Sequence, residues 1–118
     1  MLVSFDFDST LALPQETGAW KPNWAMLHRM MWHLARGDSV IIVTARSKQM
    51  EPYASMSGAP QVKDFVYAYQ LPISEIYFTG GRLKGPSLHR LGVELHYDDK
   101  DEEIEEAEAW GIRAVQVA

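Results

Sequence analysis

The chain has no cysteine and no long apolar run. Without cysteine it has neither a disulfide framework nor thiolate chemistry, which is compatible with a reducing compartment. No stretch approaches the roughly 18 consecutive apolar residues of a membrane helix, so we expect no membrane span. The N-terminal MLVSFDFD lacks a basic leader and an apolar core, which argues against a signal peptide. We therefore expect a cytoplasmic protein.

Basic residues are fewer than acidic ones: 11 lysines and arginines stand against 16 aspartates and glutamates, which gives a formal net charge of -5. The acids are unevenly placed, however, and eight of the sixteen lie in residues 98–108. Elsewhere the two signs nearly balance, so the acidic total does not exclude a local phosphate or nucleic-acid site. The length of 118 residues and the 47% hydrophobic content predict one compact domain over residues 1–118.

Short apolar segments alternate with helical patterns along the chain. Five segments predict strands, at 2–5, 39–44, 75–79, 93–97 and 112–117. Helices are predicted at 22–37, 61–72, 86–92 and 99–111. Because the strand segments are mostly continuous rather than alternating, we expect both faces of the sheet to be covered. The pattern predicts a Rossmann-like three-layer α/β/α fold with a mainly parallel five-stranded sheet. Residues 11–22 and 47–60 show the least regular pattern.

Two of the helices carry apolar residues at helical spacing, which predicts a buried face on each. In the first helix these residues are Trp24, Leu27, Met31 and Leu34. In the second they are Val62, Phe65, Val66 and Tyr69.

Polar side chains follow each of the first four predicted strands. They are Asp6 and Asp8, then Thr44, Arg46 and Lys48, then Arg82 and Lys84, and finally Asp98 and Asp99. Ligands of open parallel sheets bind at the carboxyl ends of the strands, where these residues would meet. A solvated turn would explain one carboxylate pair, but it explains two pairs with a threonine and a lysine less well.

Four acids at one edge would repel each other. Two like charges about 4 Å apart cost about 4 kcal/mol at an effective dielectric constant of roughly 20, so a cation is expected among them. Hard oxygen ligands without histidine or cysteine favour Mg²⁺, which commonly binds carboxylates, waters and a substrate phosphate. Lys84 could neutralise further charge, and Thr44 could donate a hydrogen bond to a phosphoryl oxygen. Since no serine or cysteine is suitably placed, the nucleophile would be an aspartate.

These residues together resemble a known family. Asp6-Phe7-Asp8-Ser9-Thr10-Leu11, Thr44, Lys84 and Tyr97-Asp98-Asp99 are similar to the four ordered motifs of the haloacid dehalogenase-like superfamily of phosphohydrolases. The resemblance covers nearly the whole chain. Ser9 stands where this family often has glycine. A serine at this position would make the turn before Thr10 stiffer than a glycine would.

The resemblance implies a role for each matching residue. Asp6 would attack phosphorus, and Asp8 would protonate the leaving oxygen and later activate water. Thr44 and Lys84 would hold the phosphoryl group, and Lys84 would also steady Asp6. Mg²⁺ would be bound by Asp6, the backbone carbonyl of Asp8 and Asp98, with Asp99 assisting in or near the coordination shell.

The resemblance also implies the absence of a cap domain. Larger members of the superfamily insert a cap after the first motif or between the second and third. Residues 10–39 and 44–75 of this chain have room for little more than one helix each. The site would therefore be open to bulky phosphorylated substrates, although a partner subunit could cover it. The oligomeric state is left open.

Basic residues flank the expected phosphate site. Arg46, Lys48 and Arg82 are either ordinary surface charge or a rim that binds further phosphates, and we expect them with Thr10 among the substrate-binding residues. The TAR triplet that ends at Arg46 is similar to a triplet of the polynucleotide 3′-phosphatase branch of the superfamily. The substrate would then be a nucleotide or a nucleic-acid end.

Two tryptophans and four histidines are further candidates for roles in this site. Trp20 and Trp24 could stack on a base or be buried. His28, His33, His89 and His96 lack metal-ligand spacing, so core or surface roles are favoured.

Two functions of other classes remain open. A response-regulator receiver domain has a similar length, an acid pair, a phospho-acceptor aspartate, a threonine and a lysine, but in another order along the chain. A receiver also lacks a general acid/base two residues after its acceptor, and Asp8 fills that position here. A degenerate, non-catalytic member of the superfamily would serve as a binding module.

Overall fold

The computed structural model describes residues 1–73 and 75–118. These ranges contain seven strands: β1 (Leu2–Phe5), β2 (Ala12–Pro14), β3 (Trp20–Pro22), β4 (Ser39–Thr44), β5 (Ile76–Phe78), β6 (Leu95–Asp98) and β7 (Arg113–Gln116). The α-helices are α1 (Trp24–Ala35), α2 (Val62–Ala68), α3 (Gly85–Leu91) and α4 (Asp101–Ala109). A 3₁₀ segment spans Lys48–Ser57. No helix within the described ranges is long and apolar enough to cross a membrane.

Five strands form one parallel sheet in the order β5-β4-β1-β6-β7. The first strand of the chain is therefore the central one, with β4 on one side and β6 on the other. Phe5 of β1 pairs with Ile42 of β4 and with Tyr97 of β6. The carboxyl ends of the three central strands consequently lie at one edge. The predicted three-layer fold with a five-stranded parallel sheet is confirmed.

Apolar layers cover both faces of the sheet. On the face of α1 and α2, the buried cluster is centred on Phe5, Phe7, Met30 and Phe65. On the face of α3 and α4, a smaller cluster contains Ile41, Val43, Leu88, Val93, Ala107 and Ile112. Since successive residues of a strand point to opposite faces, a strand that is buried on both faces is apolar at nearly every position.

The two segments expected to be irregular contain ordered structure. Residues 11–22 form the antiparallel hairpin β2–β3, in which Leu13 pairs with Lys21. Residues 47–60 contain the 3₁₀ segment, which ends at Gly58 with a φ of 78°. These two elements lie on the α1 and α2 side of the carboxyl edge.

The buried faces of two helices differ from the predicted ones. In α1, Leu27 and Met30 are buried together with His33, whereas Trp24 and Met31 are 57% and 48% exposed. The predicted helix at 61–72 is shorter, because α2 ends at Ala68. Val62 and Phe65 are buried, and the predicted Val66 is partly buried against the same core cluster. The side chain of Tyr69 lies beyond the helix and is 38% exposed.

Candidate active site at the carboxyl edge of the sheet

The first acids of the two predicted pairs meet at the ends of neighbouring strands. Asp6 follows β1 directly, and its backbone N–H donates to the carbonyl of Tyr97 at 2.9 Å. Asp98 is the last residue of β6. Because β1 and β6 pair in parallel, both carboxylates lie at the same place on the carboxyl edge. Asp6 is 5% exposed and Asp98 is fully buried. Two acids this deep need partners, since an unpaired buried charge is costly.

Lys84 is the cation between these carboxylates. Its Nζ donates to Asp6 Oδ1 at 2.7 Å and to Asp98 Oδ2 at 2.6 Å. Lys84 precedes α3 directly and is 2% exposed. Burial by itself would lower the pKa of Lys84, but the charges of Asp6 and Asp98 outweigh it and raise the pKa above its usual value. The side chain is therefore an ammonium at neutral pH.

The positive charge of Lys84 does not fully compensate the negative charge of the acids around it. Burial raises the pKa of Asp6 from 3.8 to about 7, because the opposing charge of Lys84 only partly compensates and Asp98 adds repulsion. Burial also acts to raise the pKa of Asp98, but the hydrogen bond from His96 and the charge of Lys84 outweigh it and hold that pKa below its usual value. The site thus holds Asp98 ionised and favours a further positive charge near Asp6.

The donor set fits a hard divalent cation. One carboxylate oxygen from each of Asp6, Asp98 and Asp99 lies within 4.8 Å of the others. Oδ1 of Asp99 is buried and has no hydrogen-bond partner within the described chain. A buried carboxylate oxygen without a donor is costly in a protein alone, whereas a coordinated cation would satisfy it. The residues present therefore fit Mg²⁺, the ion expected from the sequence.

A histidine that was expected in the core or on the surface orients Asp98. His96 Nε2 lies 2.8 Å from Asp98 Oδ2, and Ser4 Oγ lies 2.6 Å from His96 Nδ1. Because a carboxylate only accepts, the proton is on Nε2, and Nδ1 accepts from the Ser4 hydroxyl. Burial lowers the pKa of His96, so the neutral ring is favoured. His96 and Asp98 share one face of β6, and Ser4 is the β1 residue that pairs with His96.

Glu103 and Thr10 are two further buried residues that hydrogen-bond to members of this cluster. Glu103 of α4 accepts a hydrogen bond from the backbone N–H of Lys84 at 3.0 Å, which ties the start of α3 to α4. Thr10 Oγ1 donates to Asp6 Oδ2 at 3.0 Å. Both oxygens of Asp6 are thus held, one by Lys84 and one by Thr10. Thr10, expected to contact substrate, contacts the Asp6 carboxylate here.

Asp8 lies outside this cluster and pairs with Arg46. The guanidinium donates from Nε to Asp8 Oδ2 at 2.9 Å and from Nη2 to Asp8 Oδ1 at 2.7 Å. Arg46 is itself anchored through Nη1 to Glu51 at 2.9 Å and to the carbonyl of Pro60 at 2.7 Å. It also lies over the ring of Phe7, 4.8 Å from the ring centroid. Asp8, with a side chain 40% exposed, is the site acid that faces solvent.

The remaining expected residues lie around this edge. Thr44 is buried at the end of β4, next to β1, and its Oγ1 accepts from the backbone N–H of Arg46 at 3.2 Å. Arg46 was expected in a basic rim, but its guanidinium is engaged with Asp8 and Glu51. Lys48 and Arg82 are exposed.

The turn that carries Asp8 has an unusual backbone. Ser9 has a φ of 63°, in the left-handed region that favours glycine. Its N–H donates to the carbonyl of Ala12 at 2.8 Å, while the N–H of Leu11 donates to the carbonyl of Phe7 at 3.0 Å. The turn therefore adopts the geometry expected of a glycine at this position.

A cavity of about 460 Å³ begins beside Asp8. Its walls come from the hairpin and the 3₁₀ segment, and they include Trp20, Met50 and Tyr53. The lining also contains Arg46, Ser47, Glu51 and Ser57, so the aromatic surface lies within a partly polar cavity. Trp24, the other tryptophan considered, lies elsewhere and packs edge to face against Tyr69, 5.7 Å between centroids.

Comparison with known proteins shows a likeness of fold. No family model matches the sequence, and no curated protein matches it. A chain in a structure of the Pnkp1/Rnl/Hen1 complex superposes with a TM-score of 0.76 at 16% identity, over 98% of this chain and 45% of that one. A chain in a structure of the Pnkp1/Rnl/Hen1 RNA repair complex gives 0.74 at 16% identity, over 98% of this chain and 41% of that one. The likeness is one of architecture. This chain spans less than half the length of either neighbour.

Proposed function

We propose that this chain is a Mg²⁺-dependent phosphomonoesterase of the capless haloacid dehalogenase-like type. The observation that carries the proposal is the buried cluster of Asp6, Lys84 and Asp98, with the unpartnered oxygen of Asp99 beside it. Asp8 stands two residues beyond Asp6 on the solvent side. This arrangement provides a nucleophile, a cation-binding set and a proton carrier at one edge.

The reaction would proceed in two displacements at phosphorus. A carboxylate oxygen of Asp6 attacks phosphorus, and the bond from phosphorus to the leaving oxygen breaks. Asp8, in its protonated form and keeping only one of its two hydrogen bonds from Arg46, gives that oxygen a proton. Asp8 then takes a proton from water as the water oxygen attacks the aspartyl-phosphate, which releases phosphate and restores Asp6. Lys84 and Thr10 keep the Asp6 carboxylate in one orientation. When bound, Mg²⁺ supplies positive charge to the phosphoryl oxygens, and Asp6, Asp98, Asp99 and the Asp8 carbonyl would hold it.

A nucleotide or a nucleic-acid 3′-phosphate is the substrate class that we propose. The cavity beside Asp8 is where a leaving group would extend, and Trp20 and Tyr53 offer it aromatic surface. Its volume of about 460 Å³ accommodates a nucleoside rather than only a small sugar. The fold likeness to chains of an RNA repair complex supports a role in nucleic-acid end processing.

The proposal is tested by phosphate release from p-nitrophenyl phosphate, nucleoside 3′-phosphates and a 3′-phosphorylated oligonucleotide, with Mg²⁺ or with EDTA. We expect release that needs Mg²⁺ and is lost in Asp6→Asn. The matched control is Asp64→Asn, because Asp64 is an exposed carboxylate on α2. Substrate class is tested by Trp20→Ala against Trp24→Ala, with only the first raising KM for the oligonucleotide.

Three results would contradict the proposal. Equal release by Asp6→Asn and wild type, with contaminating phosphatase excluded, would remove Asp6 as nucleophile. A stable phosphoprotein without turnover would favour the receiver-like alternative. No release and no phosphorylation of Asp6 from any of these compounds would favour a binding module.

A further inference from the structure

A second cavity lies on the α1 side of the sheet, away from the acids. It has a volume of about 280 Å³ between α1 and the strands β6 and β7. Leu95 and Arg113, which line it, are the first residues of their strands, whereas Asp98 is the last residue of β6. The cavity therefore reaches the amino ends of β6 and β7, whereas the candidate active site is at the carboxyl ends.

The lining of this cavity is positively charged. The cavity is lined by Arg29 of α1, Arg36 directly after α1 and Arg113 of β7. Arg36 pairs with Asp38 at 3.3 Å, but within the described ranges Arg29 and Arg113 have no carboxylate partner. A chain with a net charge of -5 thus places two unneutralised guanidiniums around one concavity. An anionic ligand would complement them.

An exposed aromatic ring stands among these cations. Trp32 is 49% exposed, and the guanidinium carbons of Arg29 and Arg36 lie 5.2 and 4.8 Å from its ring centroid. Val115 of β7 is 43% exposed on the same lining. Because these guanidiniums lie over the ring, they already restrict the rotation of the indole. A base that stacks on the indole would take the place of one guanidinium, which could then bind a phosphate of the same strand.

The combination favours a strand over a single small anion. A free phosphate is commonly bound by converging backbone N–H groups, whereas here guanidiniums from separate elements surround an aromatic ring. Spaced cations beside an exposed ring are typical of surfaces that bind single-stranded nucleic acid, where charge follows the backbone and the ring stacks on a base.

We propose that this face, defined by Arg29, Trp32, Arg36, Arg113 and Val115, binds the sugar–phosphate backbone of single-stranded nucleic acid. The biological use of such a contact rests on the proposed function. A strand whose 3′-phosphate reaches the carboxyl edge would gain a second contact on the same molecule, which raises its effective affinity. Binding itself does not involve the acids of the candidate active site.

Binding is measured by fluorescence polarisation of a labelled 3′-hydroxyl 12-mer at several salt concentrations. This strand has no phosphomonoester, so the result does not depend on phosphatase activity. Arg29→Gln with Arg113→Gln should weaken binding about 25-fold at 0.1 M salt and lower the salt slope by about 1.4, because each phosphate contact contributes a slope of about 0.7. Lys63→Gln with Arg90→Gln removes the same charge from exposed positions on α2 and α3 and should change neither value by a comparable amount.

A second pair of variants separates stacking from charge. Trp32→Leu should weaken binding several-fold without changing the salt slope, whereas Trp24→Leu on the same helix should have little effect. Thermal unfolding of each variant verifies that it is folded. The proposal is overturned if the 12-mer does not bind, if both double variants lose affinity equally, or if polyglutamate of equal charge displaces the strand as well as unlabelled 12-mer does.

Discussion

Replacing Asp6 by asparagine should make the metal-free protein more stable at neutral and alkaline pH. Burial raises the pKa of Asp6 from 3.8 to about 7, so the folded state resists ionisation of this side chain. Between these values the folded protein binds more protons at Asp6 than the unfolded chain, and stability falls as the pH rises. A change of about three pKa units corresponds to about 4 kcal/mol above pH 7, at 1.36 kcal/mol per unit. The asparagine side chain cannot ionise and avoids this cost.

The measurement is urea unfolding followed by circular dichroism in EDTA at pH 5 and pH 8. We expect Asp6→Asn to exceed wild type by up to about 4 kcal/mol at pH 8 and by roughly 2 kcal/mol at pH 5. Asp64→Asn, at an exposed carboxylate, should show no such pH-dependent gain. Added Mg²⁺ should narrow the gap at pH 8, since a ligand at 100 times its Kd stabilises wild type by about 2.7 kcal/mol. An Asp6→Asn variant less stable than wild type at pH 8 in EDTA would refute the reasoning.

Three further predictions concern residues around the cluster. Arg46→Lys should lower kcat/KM about tenfold for a nucleoside 3′-phosphate, because lysine cannot hold Asp8 bidentately. The loss should be smaller for p-nitrophenyl phosphate, because its leaving group needs no proton. Equal losses for the two substrates would argue against this role of Arg46. His96→Leu should reduce the free energy of unfolding in EDTA by about 1–3 kcal/mol, because Asp98 loses a buried donor, and unchanged urea midpoints would contradict this. Ser9→Gly should stabilise the protein by about 1 kcal/mol by relieving its left-handed backbone, and a lower melting temperature would show that the serine is not strained.

The sequence predicts the sheet well because its strands are buried on both faces. A continuous run such as 39–44 identifies a strand without any knowledge of its neighbours. Polar residues directly after such runs must lie at the carboxyl edge of a parallel sheet. For this reason the sequence alone indicates that Asp6 and Asp98 lie near one another. Lys84 follows its predicted strand only after the loop 80–83, so its exact place depends on the fold of that loop.

Other features depend on contacts that local patterns do not contain. Helix α1 has large apolar side chains on several faces, including Trp24, Met30 and Met31, so periodicity alone could not select the buried face. The strands of the hairpin have three residues each, too short for a recognisable alternation. The role of His96 follows from the pairing of β1 with β6. In the sequence, the only local indication of this role is that His96 lies two residues before Asp98, the predicted metal ligand.

The salt bridge between Asp8 and Arg46 shows the same limit. The two residues are 38 positions apart, and each was assigned a separate role from its own motif. Only the packing of the hairpin and the 3₁₀ segment reveals that the guanidinium of Arg46 donates to both oxygens of Asp8.

The central position of β1 has a consequence for the folding of this protein. The strand that carries the nucleophile comes first, yet Ser4 contacts a partner 92 residues later, and Asp6 contacts one 78 residues later. Closing such long loops costs entropy before the contacts form, so the sheet should assemble slowly and late. Until β6 is in place, one side of β1 remains an open edge. A chaperone that covers an unpaired strand would therefore have its largest effect during this interval.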